Sequence, residues 1–404
     1  MAEQSSATLE KIIALSKRRG YVFPTSEIYG GLLSSYDYGP LGAELLRNIR
    51  NLWWQEMITT RADMMGIDSQ ILLHPQTWAA SGHVSSLNDL LVEDRITHKR
   101  YRADHLIEAW LESNPLEERI IVENLNVDQI AGLMEKYPIK SPEGNAVFPP
   151  KAFNIMFQSA IGVVEGEKVP VYLRGETAQG IFTNFANIIS SSRVQLPFGV
   201  GQIGKSFRNE ITTGQFIFRT LEFEQAEIEY FFDPDTTPWE PLFQRWQEQM
   251  WYFIHSTMGV REENLRWRRH SDKERSFYSK ETVDLEYLFP FGFKELWGIA
   301  YRTDYDLKQH NDHSGHDLRY TDPQSGRTFI PHVIEPAVGV NRILLMILCD
   351  AYYEDAENQR IVLRLKPALA PYKAAVFPLL KNKPILVEKA RSIFQKISRK
   401  ISTT

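Results

Sequence analysis

The chain has 404 residues, of which 43% are hydrophobic and 24% charged, a composition typical of a folded globular protein and unlike a disordered or fibrous one. Its 46 Lys and Arg stand against 51 Asp and Glu, so the net charge of −5 excludes binding to nucleic acid through an overall positive field. The single cysteine, Cys349, excludes a disulfide framework and any zinc site with two or more thiolates. It indicates a reducing compartment, by default the cytoplasm.

The sequence predicts neither a signal peptide nor a membrane contact. Charged residues interrupt the first apolar pattern, at Leu9–Ile13. The apolar run Ile343–Cys349 is far too short to span a bilayer.

Two helices are predicted near the N-terminus. Apolar residues at 9–15 predict a short helix that ends at Gly20 after a basic turn. Pro40 occupies a first helical position, and apolar residues recur at helical spacing from there to about residue 58. An extended apolar stretch at residues 64–73 follows.

The second helix carries an apolar stripe that is wide enough to need a partner surface. Its members are Leu45, Ile49, Leu52 and Trp53. The stripe therefore predicts a homodimer, and packing within the chain's own sheet is the alternative.

The middle of the chain contains regions that differ in sequence pattern. In residues 85–150, acidic helical pieces at 104–112 and 128–136 alternate with proline breakers and strong strands are lacking, which predicts a helical insertion. Residues 169–232 and 282–334 are instead dominated by extended segments rich in Phe, Ile, Val and Tyr. Strands in blocks predict an α+β fold, with an antiparallel sheet flanked by helices, rather than the βαβ alternation of a Rossmann fold.

A proline-rich break at residues 366–371 separates a predicted domain at residues 1–366 from a segment at residues 367–404. In that segment the pattern predicts one strand at 373–379 and one helix at 387–401, a truncated α/β unit. One strand and one helix cannot bury both faces of a sheet, so we expect them to pack on the rest of the chain or to fray.

The segment from Gly204 to Phe232 carries the most informative pattern. Residues 207–210 end one predicted strand, the loop 212–214 follows, and a second strand starts at Glu222. The period of two puts Arg208 and Glu210 on one face. On the second strand it separates two sets of side chains, namely Phe223, Gln225, Glu227 and Glu229 on one face and Glu222, Glu224, Ala226 and Ile228 on the other.

If Phe223 and Arg208 face the same cleft, they combine an aromatic platform and a bidentate cation with several acceptors. Stacking suits a base, a guanidinium suits a phosphate, and carboxylates suit an ammonium group. The plainer alternative is a hairpin with a solvated, salt-bridged face. Acidic residues on both faces of the second strand weaken that alternative, because one set then points inward, where unpaired carboxylates are costly.

The stretch Glu335–Arg342, followed by an apolar run at 343–348, is a second signal. It predicts a strand, a close backbone approach at Gly339, and a helix with Arg342 in its first turn. A cation there opposes the helix dipole, so a bound anion explains Arg342 better than helix stability does. A surface arginine remains the alternative.

These stretches resemble the class II aminoacyl-tRNA synthetases. Phe207–Glu210 with Phe223 is similar to motif 2, Gly339–Arg342 to motif 3, and the helix from Pro40 to the dimer-forming motif 1. A finer resemblance, to the dimeric-type glycyl-tRNA synthetases, is carried by segments that follow one another along the chain. They are Gly20–Pro24, Glu27–Gly31, Tyr36–Gly42, Ala80–His83, Arg102–His105, Arg174–Gly180, Arg219–Gln225 and Arg302–Leu307.

The resemblance implies activation of glycine by ATP with Mg²⁺ and transfer of glycine to tRNA(Gly). Arg208 would hold the α-phosphate and Arg342 the γ-phosphate, as the two catalytic cations. Phe223 would stack on adenine, Glu210 would accept from its amino group, and Glu295 would contact Mg²⁺. The implied ATP site comprises Arg208, Asn209, Glu210, Phe218, Arg219, Thr220, Leu221, Glu222, Phe223, Glu295, Leu296, Gly339, Val340, Asn341 and Arg342. The implied glycine site comprises Arg102, Glu176, Phe223, Glu224, Gln225, Ala226, Glu227, Glu335, Pro336, Ala337, Val338 and Gly339.

Three departures from the family pattern matter. No Cys-x-x-Cys pair precedes Arg102, so no zinc is expected there, and Asn341 stands where many members have Asp. The family's anticodon-binding domain needs about 100 residues, so the short segment at 367–404 predicts weak tRNA charging beside intact adenylate formation. Two alternatives remain: a paralogue that forms an adenylate or a dinucleotide without charging tRNA, and a catalytically silent RNA-binding module.

Overall fold

The computed structural model describes residues 7–116, 120, 122, 127–162, 168–210, 215–271, 275 and 279–401. Within these residues the helices are α1 (Leu9–Arg19), α2 (Pro40–Trp54), α3 (Pro75–Ala80), α4 (His83–Ser86), α5 (Ala103–Ser113), α6 (Val127–Lys136), α7 (Ala178–Thr183), α8 (Phe185–Ser192), α9 (Trp239–Tyr252), α10 (Tyr305–Ser314), α11 (Val340–Ala351) and α12 (Pro384–Ile401). None of the helices in this described part is both long and apolar enough to cross a membrane.

The strands of the same residues lie in one large sheet and several small ones. They are β1 (Val22–Pro24), β2 (Tyr36–Tyr38), β3 (Met64–Gly66), β4 (Leu72–Leu73), β5 (Asn88–Glu93), β6 (Arg100–Arg102), β7 (Lys151–Asn154), β8 (Gln158–Ile161), β9 (Val169–Leu173), β10 (Phe198–Phe207), β11 (Glu222–Phe232), β12 (Leu265–Arg269), β13 (Glu281–Phe289), β14 (Gly292–Thr303), β15 (Tyr320–Thr321), β16 (Thr328–Phe329), β17 (His332–Gly339), β18 (Tyr352–Asp355) and β19 (Arg360–Leu363).

A seven-stranded sheet forms the centre of the fold, in the order β12-β13-β14-β17-β11-β10-β3. Its neighbouring strands run antiparallel, except that β3 pairs parallel with β10 at one edge, where Met64 lies opposite Gly199. The sheet is therefore mixed, and the predicted antiparallel arrangement with flanking helices is correct for all but this edge pair. The prediction missed the parallel pair because β3 is only three residues long, and so short a strand carries little sequence pattern.

The two N-terminal helices form where the sequence predicts them. Thr8 caps α1 by accepting from the backbone N–H of Lys11, and Gly20 ends the helix with a φ of 74°, a conformation that favours glycine. Helix α2 starts at Pro40 and continues as a short π-helical segment to Thr59. A Cβ at Gly42 would stand 1.9 Å from the carbonyl oxygen of Tyr21, so only glycine permits the close approach of α2 to β1.

The apolar stripe of α2 packs within the chain itself. Leu45, Ile49 and Trp53 are at most 1% exposed and belong to the main hydrophobic core together with residues of α11 and the central sheet. The argument that this stripe needs a second copy is therefore wrong, because the chain's own α11 and sheet cover it.

Residues 88–154 form a small unit of their own. Helices α5 and α6 confirm the two predicted helical pieces. The sequence pattern, which lacks strong strands, did not predict the three-stranded sheet of β6, β5 and β7. A separate hydrophobic cluster holds this unit together and includes Val92, Ile107 and Ile130. The strands are short and carry charged residues, so pairing across the chain, rather than local pattern, decides their structure.

The last part of the chain is only partly as predicted. Helix α12 confirms the helix expected at 387–401 and begins slightly earlier. The strand expected at 373–379 is wrong: these residues pair with no other strand within the described part, and Phe377 and Leu379 are 83% and 87% exposed. An apolar run forms a strand only where another strand supplies its hydrogen bonds.

Candidate active site

A cavity of about 360 Å³ lies on one face of the central sheet, lined by residues of β11, β17, β14 and β13. This volume is within the range of sites for small molecules. Strands β11 and β17 are adjacent, with Gln225 opposite Gly339 and Glu227 opposite Ala337. The two sequence segments singled out independently therefore meet on the same face of the sheet.

Most of the side chains predicted from the sequence line this cavity. They are Glu176, Arg208, Glu210, Phe218, Arg219, Thr220, Phe223, Gln225, Glu227, Glu295, Glu335, Ala337, Val338, Gly339, Asn341 and Arg342. The remaining predicted residues do not line it. They are Arg102, Asn209, Leu221, Glu222, Glu224, Ala226, Leu296, Pro336 and Val340. The predicted loop 212–214 lies outside the described residues.

The alternation along β11 explains why three of the predicted residues do not line the cavity. Glu222, Glu224 and Ala226 point away from the cavity, as the period of two requires once Phe223 faces it. The carboxylate of Glu224 is paired instead with Arg50 of α2, at 2.6 Å between Oε2 and Nη2. The predicted site included these residues because it took a continuous stretch of the chain. A continuous stretch contains residues of both faces of the strand.

The other predicted residues that do not line the cavity make different contacts. Leu296 and Val340 are buried in the main core, and Pro336 alternates with Glu335 and Ala337, which line the cavity. Arg102 forms an ion pair with Asp104, at 2.6 Å between Nη2 and Oδ2. Asn209 and Leu221 take part in backbone hydrogen bonds, the first with Ile155 and the second with Ser34 and Arg208.

Arg208 stands at the end of β10 and is fixed from two sides. Its Nε donates to the carbonyl oxygen of Gly175 at 3.0 Å, and its guanidinium carbon lies 5.4 Å from the centre of the Phe223 ring. The nearby Glu210 is paired with Arg219, at 3.2 Å between Oε2 and Nε. A cation, an aromatic ring and a carboxylate are thus presented together, as the sequence pattern predicts.

Arg342 lies in the first turn of α11 and is likewise held in place. Its Nη1 donates to the backbone carbonyl of Glu295 at 3.0 Å and lies 3.2 Å from Oε2 of the same residue. Its guanidinium carbon is 4.2 Å from the centre of the Phe218 ring. Desolvation works to raise the pKa of Glu295, but the positive charge of Arg342 lowers it below its usual range, so the carboxylate is ionised.

A second carboxylate beside Glu295 was missed by sequence reasoning. Asp284 on β13 is buried, and its Oδ2 lies 2.6 Å from Nε2 of His270. A Cβ placed on Gly298 would stand 3.5 Å from Oδ1 of Asp284 and 3.7 Å from Oε1 of Glu295, so both carboxylates flank one small residue. Burial, with the charge of Glu295, raises the pKa of Asp284. The polar residues Thr282 and Asp284, alternating with apolar ones in a strand, were the available signal.

The other end of the cavity is acidic. Glu227 is 1% exposed and accepts hydrogen bonds from the backbone N–H of Thr177, at 3.0 Å, and from its hydroxyl. Glu176 is buried as well, with Oε2 at 3.1 Å from Nε2 of His83 and Oε1 accepting from Gln179 at 2.9 Å. Burial alone would raise both pKa values, and the pKa of Glu227 is raised, but His83 lowers that of Glu176 well below its usual range.

Arg302, 2% exposed, is a buried cation that contacts this acidic end. Its Nε and Nη2 donate to the two oxygens of Asp306 at 2.7 and 2.8 Å, and its Nη1 donates to Glu335. Burial raises the pKa of Glu335 well above its usual range, while Arg302 opposes that shift. Neither Arg302 nor His83 was predicted as a site residue, because periodicity carries no information about contacts between distant segments.

The large mixed sheet, its helices and this cavity are compatible with a class II aminoacyl-tRNA synthetase. No protein-family model matches the chain. It is 46% identical over 401 residues to a glycine--tRNA ligase of Staphylococcus haemolyticus, covering 98% of this chain and 85% of that protein. Similar proteins of the same name occur in Caldanaerobacter subterraneus, 48% identical with 97% and 84% covered, and in Bacillus cereus, 47% identical with 97% and 85% covered. The chain belongs to the glycine--tRNA ligase family, which confirms the resemblance identified from the sequence.

Proposed function

We propose that the chain activates glycine with ATP and transfers the resulting glycyl group to tRNA(Gly). Family membership carries this proposal, because the similarity covers 98% of the chain. The cavity supports it by combining cations for phosphates, an aromatic surface for a base, and carboxylates for an ammonium group. The alternative of a paralogue that does not charge tRNA is not favoured, since these relatives are named as tRNA ligases.

In the activation step, a carboxylate oxygen of glycine attacks the α-phosphorus of ATP. A new O–P bond forms, the bond from that phosphorus to the leaving oxygen breaks, and pyrophosphate departs. The attacking carboxylate needs no protein nucleophile or base, so positioning and charge stabilisation supply the rate. Arg208 is the residue we assign to the α-phosphate, because Gly175 and Phe223 hold its guanidinium in advance of the reaction.

The rest of the nucleotide is assigned to the neighbouring side chains. Phe223 stacks on the adenine and Glu210 accepts a hydrogen bond from its amino group, with Arg219 holding Glu210 in place. Arg342 binds the γ-phosphate. Its contacts to Phe218 and Glu295 fix it at the helix N-terminus, where an anion is favoured on both charge and dipole grounds.

Glu295 and Asp284 are the residues we assign to Mg²⁺. Hard carboxylate oxygens are its preferred protein ligands, and both side chains flank Gly298 beside Arg342. When bound, the ion neutralises phosphate charge. Sequence reasoning named only Glu295, and Asp284 extends the assignment by a second carboxylate.

The acidic end of the cavity is assigned to the amino acid. Glu176, Gln225 and Glu227 line it and offer acceptors to the ammonium group of glycine. Selection for glycine rests on exclusion, because a missing side chain offers nothing to bind. A larger amino acid must displace hydrogen-bonded side chains that line the site, such as Gln225, whose Oε1 accepts a hydrogen bond from the Ser206 hydroxyl at 2.8 Å.

We also propose that residues 1–366 form the catalytic unit and that residues 85–150 are an insertion in it. The small sheet and separate hydrophobic cluster of residues 88–154 support the insertion. A homodimer remains part of the proposal, with tRNA(Gly) as substrate and the cytoplasm as the compartment. The support for a homodimer is an apolar loop whose residues are 61–87% exposed in the single chain, namely Ile28, Tyr29, Leu32 and Leu33.

The test of this function is ATP–pyrophosphate exchange with a panel of amino acids, with ATP hydrolysis monitored in parallel. Glycine should support exchange far better than any other amino acid. Exchange without attachment of glycine to tRNA would indicate the paralogue that forms an adenylate for another acceptor. No exchange with any amino acid, from a folded chain that binds ATP, would contradict the proposal.

A further inference from the structure

Glu229 is a buried carboxylate that the proposed reaction does not use. It lies on β11, is 0% exposed, and shares the face of Gln225 and Glu227. Within the described part of the chain, neither of its carboxylate oxygens has a hydrogen-bond partner. A buried polar group without a partner is costly, and such a group in a native protein calls for an explanation.

The position of Glu229, next to the acidic end of the cavity, supplies an explanation. Carboxylate oxygens of Glu227, Glu229 and Glu335 all lie within 4.8 Å of one another. The pairing of β11 with β17, with Tyr230 opposite Ile334 and Glu227 opposite Ala337, puts Glu229 and Glu335 in neighbouring positions on adjacent strands. Like charges in such positions destabilise a sheet.

The charges that face Glu229 come from four elements. Glu227 belongs to β11 itself, Glu335 to β17, Arg302 to β14 and Asp306 to α10. Arg302 is the one cation among these four groups, and it is already bound to both oxygens of Asp306. Glu176 adds a further negative charge beside Glu227 and Glu335. His83 pairs with Glu176, and the charge of Arg208 acts on Glu227, which leaves Arg302 to face Asp306, Glu229 and Glu335. One guanidinium cannot neutralise these three carboxylates, so Glu229 and Glu335 retain at least one proton between them.

The two carboxyls best placed to retain it are Glu229 and Glu335. Burial raises the pKa of Glu229 well above its usual range, and the charge of Glu335 adds to that shift. The pKa of Glu335 is raised in the same direction, by burial and by the charges of Glu227 and Glu176. Since the two groups interact strongly, the proton belongs to the pair rather than to either residue.

We propose that Glu229 is a positioning residue that shares one proton with Glu335 in the empty cavity, and that the ammonium group of the amino acid displaces this proton on binding. The inference rests on the proposed function, because it needs glycine at the acidic end. The proton removes one of the two negative charges from the pair, whose carboxylate oxygens lie within 4.8 Å of each other, and so keeps the Glu335 side chain in place beside Glu229. When the ammonium group arrives beside Glu227 and Glu335, its charge replaces that of the proton, which leaves for solvent.

The consequence is proton release on glycine binding, approaching one proton below the apparent pKa of the pair and declining above it. Glycine affinity then falls as the pH falls, by up to tenfold per pH unit, because proton and ammonium compete for the same carboxylates. The turnover number stays nearly constant over this range, since Glu229 does not touch the reacting atoms. A purely structural role for Glu229 would produce neither the proton release nor the pH dependence of glycine affinity.

The test is calorimetric titration of the full chain with glycine, at several pH values from about 5.5 to about 8 and in buffers of different ionisation enthalpy. The variant is Glu229→Gln, which keeps the shape and the donor but removes the titrating group. Its matched control is Glu286→Gln, another buried carboxyl, which is paired with Arg266 at 2.6 Å and does not line the cavity. We expect proton release from the wild type and the control, little or none from Glu229→Gln, and a flatter pH profile of glycine affinity in that variant.

The possible outcomes distinguish failure of this inference from failure of the proposed function. A wild type that binds glycine without releasing a proton at any of these pH values overturns the inference and leaves the proposed function intact, whether or not Glu229→Gln folds. Unchanged proton release in a folded Glu229→Gln variant also overturns it. A wild type that does not bind glycine at all overturns the proposed function and the inference with it.

Discussion

Replacement of Arg208 by alanine tests the proposed phosphate contact. The side chain is held in advance by its 3.0 Å hydrogen bond to Gly175 and by the Phe223 ring at 5.4 Å. Removal of one such preorganised, charged donor from a developing negative charge slows a reaction roughly a hundred- to a thousand-fold. The fold should lose only about 1 kcal/mol, because one hydrogen bond and one cation–π contact disappear.

The assay is glycine-dependent ATP–pyrophosphate exchange, with thermal unfolding measured on the same preparations. Arg208→Lys keeps the charge but loses the two-pronged geometry, so it should fall between the wild type and Arg208→Ala. Arg319→Ala is the control, since that arginine pairs with the neighbouring Asp317 on the surface. Exchange by Arg208→Ala within a few-fold of the wild type would refute the assignment of Arg208 to the reacting phosphate.

Four further expectations follow from the same contacts. Arg302→Met should lower the free energy of unfolding by about 3–5 kcal/mol in urea titrations, because buried Asp306 and Glu335 lose their cation. Alanine should support exchange roughly ten- to a hundredfold less well than glycine, because its methyl group must be fitted into a packed site. Glu295→Gln should raise the Mg²⁺ concentration for half-maximal exchange by about tenfold or more. Tyr29→Ser, at a position 86% exposed, should weaken a dimer in sedimentation experiments.

Each of these expectations can fail in a definite way. Wild-type stability of Arg302→Met would mean that the acidic groups find other partners or protons. Equal exchange with alanine and glycine would remove the argument for steric exclusion. An unaltered Mg²⁺ requirement in Glu295→Gln would place the ion elsewhere. Monomeric wild type at micromolar concentration would contradict the homodimer.

The hairpin of β10 and β11 shows what a local sequence pattern can and cannot predict. The period of two correctly separated Phe223, Gln225 and Glu227 from Glu224 and Ala226, because alternation is a property of any extended strand. The meeting of this hairpin with the Glu335–Arg342 stretch came from the family resemblance. Pattern alone could not predict it, since strand order in a sheet depends on pairing between distant segments.

The failures have the same origin. Asp284 interacts with Glu295, and Arg302 donates to Glu335, in each case from a different strand. No spacing in the sequence indicates those contacts. The apolar stripe of α2 was assigned to a second copy because the sequence shows that a surface is apolar without showing what covers it. The expected strand at 373–379 failed because extended propensity without a pairing partner does not make a strand.

The most direct test of the proposed function is attachment of labelled glycine to tRNA(Gly) by the purified chain. We predict that label appears on the tRNA only when ATP is present, that labelled alanine gives a much weaker signal, and that Arg208→Ala slows the reaction roughly a hundred- to a thousand-fold. A folded chain that binds ATP and glycine yet leaves tRNA unlabelled would contradict the proposed function.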